Sequence, residues 1–322
     1  MKKLLLLFIL ILLVLAVSKI THDDWFWASS KLEGITSIWK DELPLRTVHM
    51  TQKALESYKL QIRSEAAVVL DAKKAEVLFE KNMGKPLPIA SITKLMTALV
   101  FLETNPDLND TATIIPADAE GAGWSQLKIK ETFTLHDLLH ASLISSNNRV
   151  TRTLARCCGL SLSEFVSRMN QKAKKIGLEN TFFCEPTGLD TNNRSTAIDC
   201  ARLLYFAQKD SLIGSILGKA TYEFSSLGKR RRMHQIRNTN KLLVNSFASE
   251  FIECVRGGKT GYNGASGWCL GTSVEGKDGD EIIAVILGAP SSGTRFKEIK
   301  SIMEWSTRSN GSSGEDKSKI QQ

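Results

Sequence analysis

Apolar and polar positions change rhythm several times along the chain. An unbroken apolar run, residues 4–17, follows Met1-Lys2-Lys3 at the start. Mixed polar sequence with Trp25, Trp27 and Trp39 continues to residue 63. From Ser64 the spacing becomes that of a folded domain. Residues 66–70 and 77–79 are short apolar runs separated by the turn-like Asp71-Ala72-Lys73-Lys74, which predicts a β-hairpin. Residues 91–103 carry Leu, Met and Ala at helical spacing, and Pro86 and Pro88 stand just upstream, where prolines precede helix starts. Residues 134–155 predict two amphipathic helices broken around Ser145-Ser146-Asn147-Asn148. Residues 161–176 predict another that Gly177 stops, and 196–208 one more. Beyond residue 219 the period becomes that of strands, at 221–225, 258–262, 267–274 and 281–288, before a closing helix at 295–306.

Hairpin, helices, strands, helix is an order with a consequence. It predicts an α+β fold: an antiparallel sheet built from both chain ends, flanked by helices, with a helical subdomain inserted between its strands. A site would form where the inserted helices meet the sheet. The expected divisions are an export segment at 1–18, a lead-in at 19–63, the folded domain at 64–306 and a polar, flexible tail at 307–322.

Composition narrows the partners. The chain is 42% hydrophobic and 24% charged, which excludes disorder through most of its 322 residues. The net charge of +8 suits an anionic partner without naming one. The positively charged start and the following apolar run, shorter than the ~20 residues of a spanning helix, are those of an export signal. Ala16-Val17-Ser18 offers a cleavage site, and a retained anchor remains the alternative. The expected location is the periplasm or cell envelope, with membrane association if the segment is kept. Export excludes nucleic acid as a partner.

Six cysteines, at 157, 158, 184, 200, 254 and 269, permit disulfides in an exported protein, but their spacing selects no pairing. Buried small hydrophobes are an equally good reading. No CxxC pair occurs, and no carboxylate pattern completes a metal site around His136 and His140, so neither metal nor cofactor is expected. Lys229-Arg230-Arg231-Arg232 is the densest basic cluster. It reads as a solvated hairpin turn or as a contact for anionic wall polymer or lipid head groups.

Four segments fit Ser-x-x-Lys, at Ser37, Ser91, Ser125 and Ser226. Only Ser91 opens a long apolar helix. There Ser91 and Lys94, three apart, share one face, and the helix N-terminus favours negative charge on an attacking oxygen. A simple N-cap is the competing reading of such a serine. Ser146-Asn147-Asn148 lies at the helix break, where the shifted pair Ser145 and Asn147 fits the same Ser-x-Asn pattern. Both are also ordinary turn residues. Lys259-Thr260-Gly261 lies on a predicted strand able to set an ammonium and a hydroxyl beside a carboxylate, or to protect a sheet edge.

In that order the three segments match the set S-x-x-K, S-x-N, K-T-G. Here the chain resembles the serine DD-peptidases, the low-molecular-mass penicillin-binding proteins, over residues 64–305. Residues 88–97 resemble the family's nucleophile helix and residues 259–270 its third motif. Glu185-Pro186-Thr187-Gly188-Leu189-Asp190, Ser195-Thr196-Ala197 and Asn238-Thr239-Asn240 resemble its connecting segments. The resemblance implies a β-lactamase/DD-peptidase-like fold, peptidoglycan peptides as substrate and covalent binding of β-lactams.

It further implies Ser91 as nucleophile, Lys94 as base, and Ser146 and Asn148 as the second motif. Lys259, Thr260, Gly261 and Tyr262 would bind substrate, with the N–H groups of Ser91 and Tyr262 forming the oxyanion hole. Arg149 after the Asn resembles a branch that includes DD-endopeptidases such as penicillin-binding protein 7. The expected activity is therefore cleavage of D-alanyl cross-links through an acyl-enzyme, with D-alanyl-D-alanine carboxypeptidase as the alternative. A serine β-lactamase using Glu185 as its deacylation base, or a non-catalytic penicillin sensor, are more distant alternatives.

Overall fold

The computed structural model describes residues 46–47 and 61–311 apart from 251 and 278, with backbone alone at 46–47 and 308–311. The expected export segment, most of the lead-in, the motif at Ser37 and the end of the tail lie outside these residues. Strand β1 (Arg46–Thr47) is followed by the predicted hairpin, β2 (Ala66–Asp71) and β3 (Glu76–Lys81), and by the short β4 (Leu87–Pro88). Ala90–Thr93 forms a 3₁₀ turn that runs into helix α1 (Lys94–Glu103). Next come β5 (Thr111–Thr113), α2 (Pro116–Ala119), β6 (Thr132–Thr134), α3 (Leu135–Ile144), α4 (Asn148–Cys157) and α5 (Leu162–Lys175). Strand β7 (Arg194–Ser195), α6 (Ala197–Lys209), α7 (Ser211–Leu217), β8 (Thr221–Ser225), β9 (Met233–Arg237) and α8 (Lys241–Val244) complete the inserted block. The chain then returns to the sheet through β10 (Ile252–Asn263), β11 (Gly267–Gly276) and β12 (Glu281–Ala289), and closes with α9 (Ser292–Gly311).

The main sheet has the order β1-β3-β2-β12-β11-β10. The amino-terminal hairpin joins the carboxy-terminal strands through the β2–β12 pair, in which Val69 faces Ala284. Every pairing is antiparallel except that of β1 with β3, which is parallel and departs from the purely antiparallel expectation. Both faces are covered, α9 on one and α6 on the other. That explains why all six residues of β2 are buried: a strand covered on both sides needs apolar residues throughout rather than alternation. Ala67, Val69, Ile282, Ala284 and Ile286 pack beneath Ile299, Ile302 and Met303 of α9.

Helix boundaries follow local chemistry. The hydroxyl of Thr134 accepts from Asp137 N to start α3, and Ser161 with Glu164 forms a capping box on α5. Helix α9 begins before the expected residue 295 and continues to Gly311, into the span expected as a tail. Ser306 and Thr307 are buried there, so the helical backbone continues where the sequence had turned polar. Strand β10 ends the sheet, and the Ala90–Thr93 turn packs against it. The inserted helices therefore meet the sheet along β10.

Candidate active site

The site starts from the turn that holds Ser91. Ala90 has φ +45° and Ser91 lies within the 3₁₀ segment rather than at a helix cap, so the N-cap reading does not describe it. Lys94 begins α1 with its side chain fully buried. Its Nζ donates to Ser91 Oγ at 2.7 Å, to Asn148 Oδ1 at 2.7 Å and to the Thr187 carbonyl at 2.6 Å. Burial is the largest influence on this amine and pulls its pKa down to about 7. The Glu185 carboxylate works the other way, and the Arg152 guanidinium adds to the lowering. A neutral amine keeps two of these contacts as donor and accepts the Ser91 hydroxyl with its lone pair.

The second motif occupies the turn between α3 and α4. Ser146 is in the left-handed region at φ +58°, a strained conformation for a non-glycine residue. Asn147 caps α4 by accepting from the N–H groups of Arg149 and Val150, while Ser145 Oγ donates to Ala141 O. Asn148 points inward. Its Oδ1 receives Lys94 and its Nδ2 donates to Ala122 O at 3.0 Å. Of the two registers, the one with Asn148 reaches Lys94. Both ends of the Asn148 amide are thus committed, one to Lys94 and the other to the Ala122 carbonyl. Arg149 donates to the carbonyls of Gly123 and Leu127 and clamps the loop that carries Trp124.

The third motif lies on edge strand β10. Lys259 is fully buried, and its Nζ donates to Thr260 O at 3.0 Å. Burial first, then the charges of Lys94 and Arg295, hold its pKa well below the usual lysine range. Lys94 is thus one of the charges acting on Lys259, whereas its own shift comes first from burial. Thr260 Oγ1 donates to Thr239 Oγ1 at 2.6 Å. Tyr262 is half-exposed and stacks on Trp268 with ring centroids 4.0 Å apart. Two glycines allow neighbouring segments to reach the Ser91 turn. A Cβ on Gly261 would lie 2.7 Å from Ile89 O and 3.1 Å from Ser91 N. On Gly188, at φ +84°, it would overlap the Ala90 carbonyl at 1.9 Å. The glycine next to Tyr262 therefore serves the approach of the strand to Ser91.

Several contributors lie outside the three motifs. Arg295 of α9, buried, donates to the carbonyls of Gly261 at 3.1 Å and Cys269 at 2.9 Å. Burial lowers its pKa to about 10. The segment from Cys184 to Asn193 delivers Thr187 O to Lys94. Within it the Glu185 carboxylate accepts from Thr187 N at 2.7 Å, Thr187 Oγ1 at 2.5 Å, Asn193 Nδ2 at 2.8 Å and Gly188 N. Asn193 was not visible as a participant, because nothing local marks an asparagine whose partners come from loop closure.

The remaining candidates stand apart. Ser125 Oγ accepts from Asn147 Nδ2 and Leu127 N, and Ser226 Oγ from Arg232 N, so both brace loops. All six cysteines are free. His140 is buried between the His136 carbonyl and Lys219, and no group of three metal-ligating side chains occurs among the described residues. No helix among them is long and apolar enough to cross a membrane.

Known proteins resemble this chain in sequence and in fold. A family model described as D-alanyl-D-alanine carboxypeptidase matches residues 50–291. The D-alanyl-D-alanine endopeptidase of Escherichia coli K12 is 30% identical over 264 residues, covering 81% of this chain and 82% of that protein. The endopeptidase of Pseudomonas aeruginosa is 32% identical over 251 residues, 76% and 77% of the two chains. D-alanyl-D-alanine carboxypeptidase DacF of Bacillus subtilis is 31% identical over 264 residues, 79% of this chain and 64% of that one. Among solved structures, a point mutant of the Streptomyces K15 DD-transpeptidase superposes with a TM-score of 0.70 at 25% identity, over 77% of this chain and 99% of its own.

Proposed function

From the premise that the chain belongs to the D-alanyl-D-alanine carboxypeptidase family and is a serine DD-peptidase, we propose that Ser91 forms an acyl-enzyme with peptidoglycan stem peptides and cuts D-alanyl cross-links. One observation carries the residue assignment: the buried Lys94 amine bonded at once to Ser91 Oγ, Asn148 Oδ1 and Thr187 O. Neutral Lys94 takes the Ser91 proton as Oγ bonds to the D-alanyl carbonyl carbon. The N–H groups of Ser91 and Tyr262 receive the oxyanion. Ser146 passes a proton to the leaving amine, Lys259 orients it, and Thr260 binds the carboxylate next to the scissile bond. Water then hydrolyses the ester.

The match to two endopeptidases over more than three-quarters of their length favours cross-link cleavage over removal of a terminal D-alanine. Glu185, with four hydrogen bonds to its own segment, has no free lone pair aimed at a deacylating water, which disfavours rapid β-lactam turnover. β-Lactams acylate Ser91 as substrate mimics. An envelope location reached through the leading export segment completes the reading. The test is the purified protein with a labelled penicillin, cross-linked muropeptide dimers and uncross-linked pentapeptides, with products identified by mass. Dimer cleavage is expected, together with loss of both cleavage and labelling in Ser91→Ala. Retained labelling in that variant overturns the nucleophile, and products from pentapeptide alone replace endopeptidase by carboxypeptidase.

A further inference from the structure

A cavity of about 360 Å³ opens beside the second motif, lined by Ser146 and Asn148 on one side and by Trp124, Gln126, Gln235 and Arg237 on the other. Its polar walls are largely satisfied internally. Ser125 Oγ receives Asn147, Gln126 Nε2 donates to Gln235 O, and Gln235 Nε2 donates to Glu223. The Arg237 guanidinium is exposed and has neither ion pair nor hydrogen bond among the described residues, and no carboxylate lines the cavity. Trp124, 85% exposed, stands at the same cavity, with Lys128 Nζ over its ring at 6.0 Å from the centre. A cavity with one free fork of donors, an aromatic wall and no negative charge is built for an anion carried on an organic chain.

Its position says which part of a substrate arrives there. This step rests on the proposed function, in which Ser146 protonates the departing amine. The cavity begins at Ser146, so whatever the amine carries continues into it. Arg237 also lies two residues before Thr239, whose hydroxyl accepts from Thr260 and whose N–H donates to Ile144 O. The strand end that bears Arg237 therefore runs along the leaving-group side.

We propose that this cavity is a subsite for the amine-side stem peptide of a cross-link, in which Arg237 pairs with a carboxylate of that stem beyond the one held by Thr260, and Trp124 packs against its backbone. A departing D-alanine is too small to reach it, so the subsite acts only when the leaving group is a peptide.

The experiment compares the wild-type protein with Arg237→Gln on three reactions: cleavage of a cross-linked dimer, cleavage of the same dimer with every amine-side stem carboxylate amidated except the one next to the scissile bond, and acylation by benzylpenicillin. The expected result is an about tenfold fall in kcat/KM on the acidic dimer in the variant, from loss of a charge-assisted contact. Amidation should remove a similar factor in wild type and little in Arg237→Gln, while the acylation rate, which reports an intact fold and nucleophile, stays unchanged. Trp124→Ala should raise KM on both dimers. Equal rates for wild type and Arg237→Gln on the acidic dimer overturn the subsite, as do losses of the same size on amidated and acidic dimers. Wild-type protein that is acylated but cleaves no dimer refutes the subsite together with the endopeptidase reading. Dimer cleavage indifferent to Arg237 refutes the subsite alone.

Discussion

Lys94 shows how a single residue acquires its chemistry from its surroundings. Its amine is displaced to about 7 by burial, with Glu185 and Arg152 acting in opposite senses. In the proposed mechanism the neutral form is the base, so the penicillin acylation rate should rise about tenfold per pH unit below pH 7 and level off above it. Removing the cation in Arg152→Gln raises the Lys94 pKa and moves the inflection to higher pH. Removing the anion in Glu185→Gln moves it lower. Stopped-flow acylation profiles of the three proteins check both signs, and an unmoved inflection in both variants would dissociate Lys94 from the profile. Lys259 is buried on the other side of the site. Lys259→Gln should slow acylation by about 10²–10³-fold, as expected for loss of a preorganised electrostatic group.

At the scale of elements, the site depends on three segments brought closer than side chains normally permit: the nucleophile turn, the loop at Gly188 and strand β10. Gly188→Ala combines φ +84° with a Cβ 1.9 Å from the Ala90 carbonyl, and should cost about 3–4 kcal/mol. Gly261→Ala meets Ile89 O at 2.7 Å and should cost about 1–3 kcal/mol while slowing acylation through displacement of the nucleophile turn. Gly121→Ala, at φ +62° with open space around its Cβ, should cost only about 1 kcal/mol. Urea midpoints for the three variants test this ranking. The predicted elements were legible here, because apolar spacing and capping residues such as Ser161 and Thr134 are local signals. The short β5, β6 and α2, and the helix α7, were not, since they are held by contacts with distant segments rather than by a period of their own.

For the whole molecule, the joining of its two chain ends governs stability. The β2–β12 pair closes the sheet, and α9 seals one face while sending Arg295 through to β10. Arg295→Met leaves the Gly261 and Cys269 carbonyls without their donor. It should lower unfolding stability by about 2–3 kcal/mol and slow acylation in parallel, measured by urea unfolding and penicillin labelling. Cohesion of the folded domain comes from this packing and not from cross-links, since the six cysteines are free. Dithiothreitol should leave the melting temperature unchanged, whereas a bridge would lose about 2–4 kcal/mol on reduction.

The sequence by itself determined the α+β class, the order of the main elements and the three motif segments, because hydrophobic period, turn chemistry and a Ser-x-x-Lys opening an apolar helix are written in neighbouring residues. Residue by residue it left the Ser-x-Asn register open, and the family resemblance chose Ser146 and Asn148. It also left open whether the cysteines bridge and which contacts hold the Lys94 amine. Those answers came from the tertiary structure. Asn148 meets Lys94 only once α4 packs beside α1, Thr187 O and the Glu185 network arrive from a loop distant in sequence, and Arg295 reaches β10 from the last helix. Burial and Coulomb interaction depend on distance in space, and no spacing along the chain encodes the packing that removes water from Lys94.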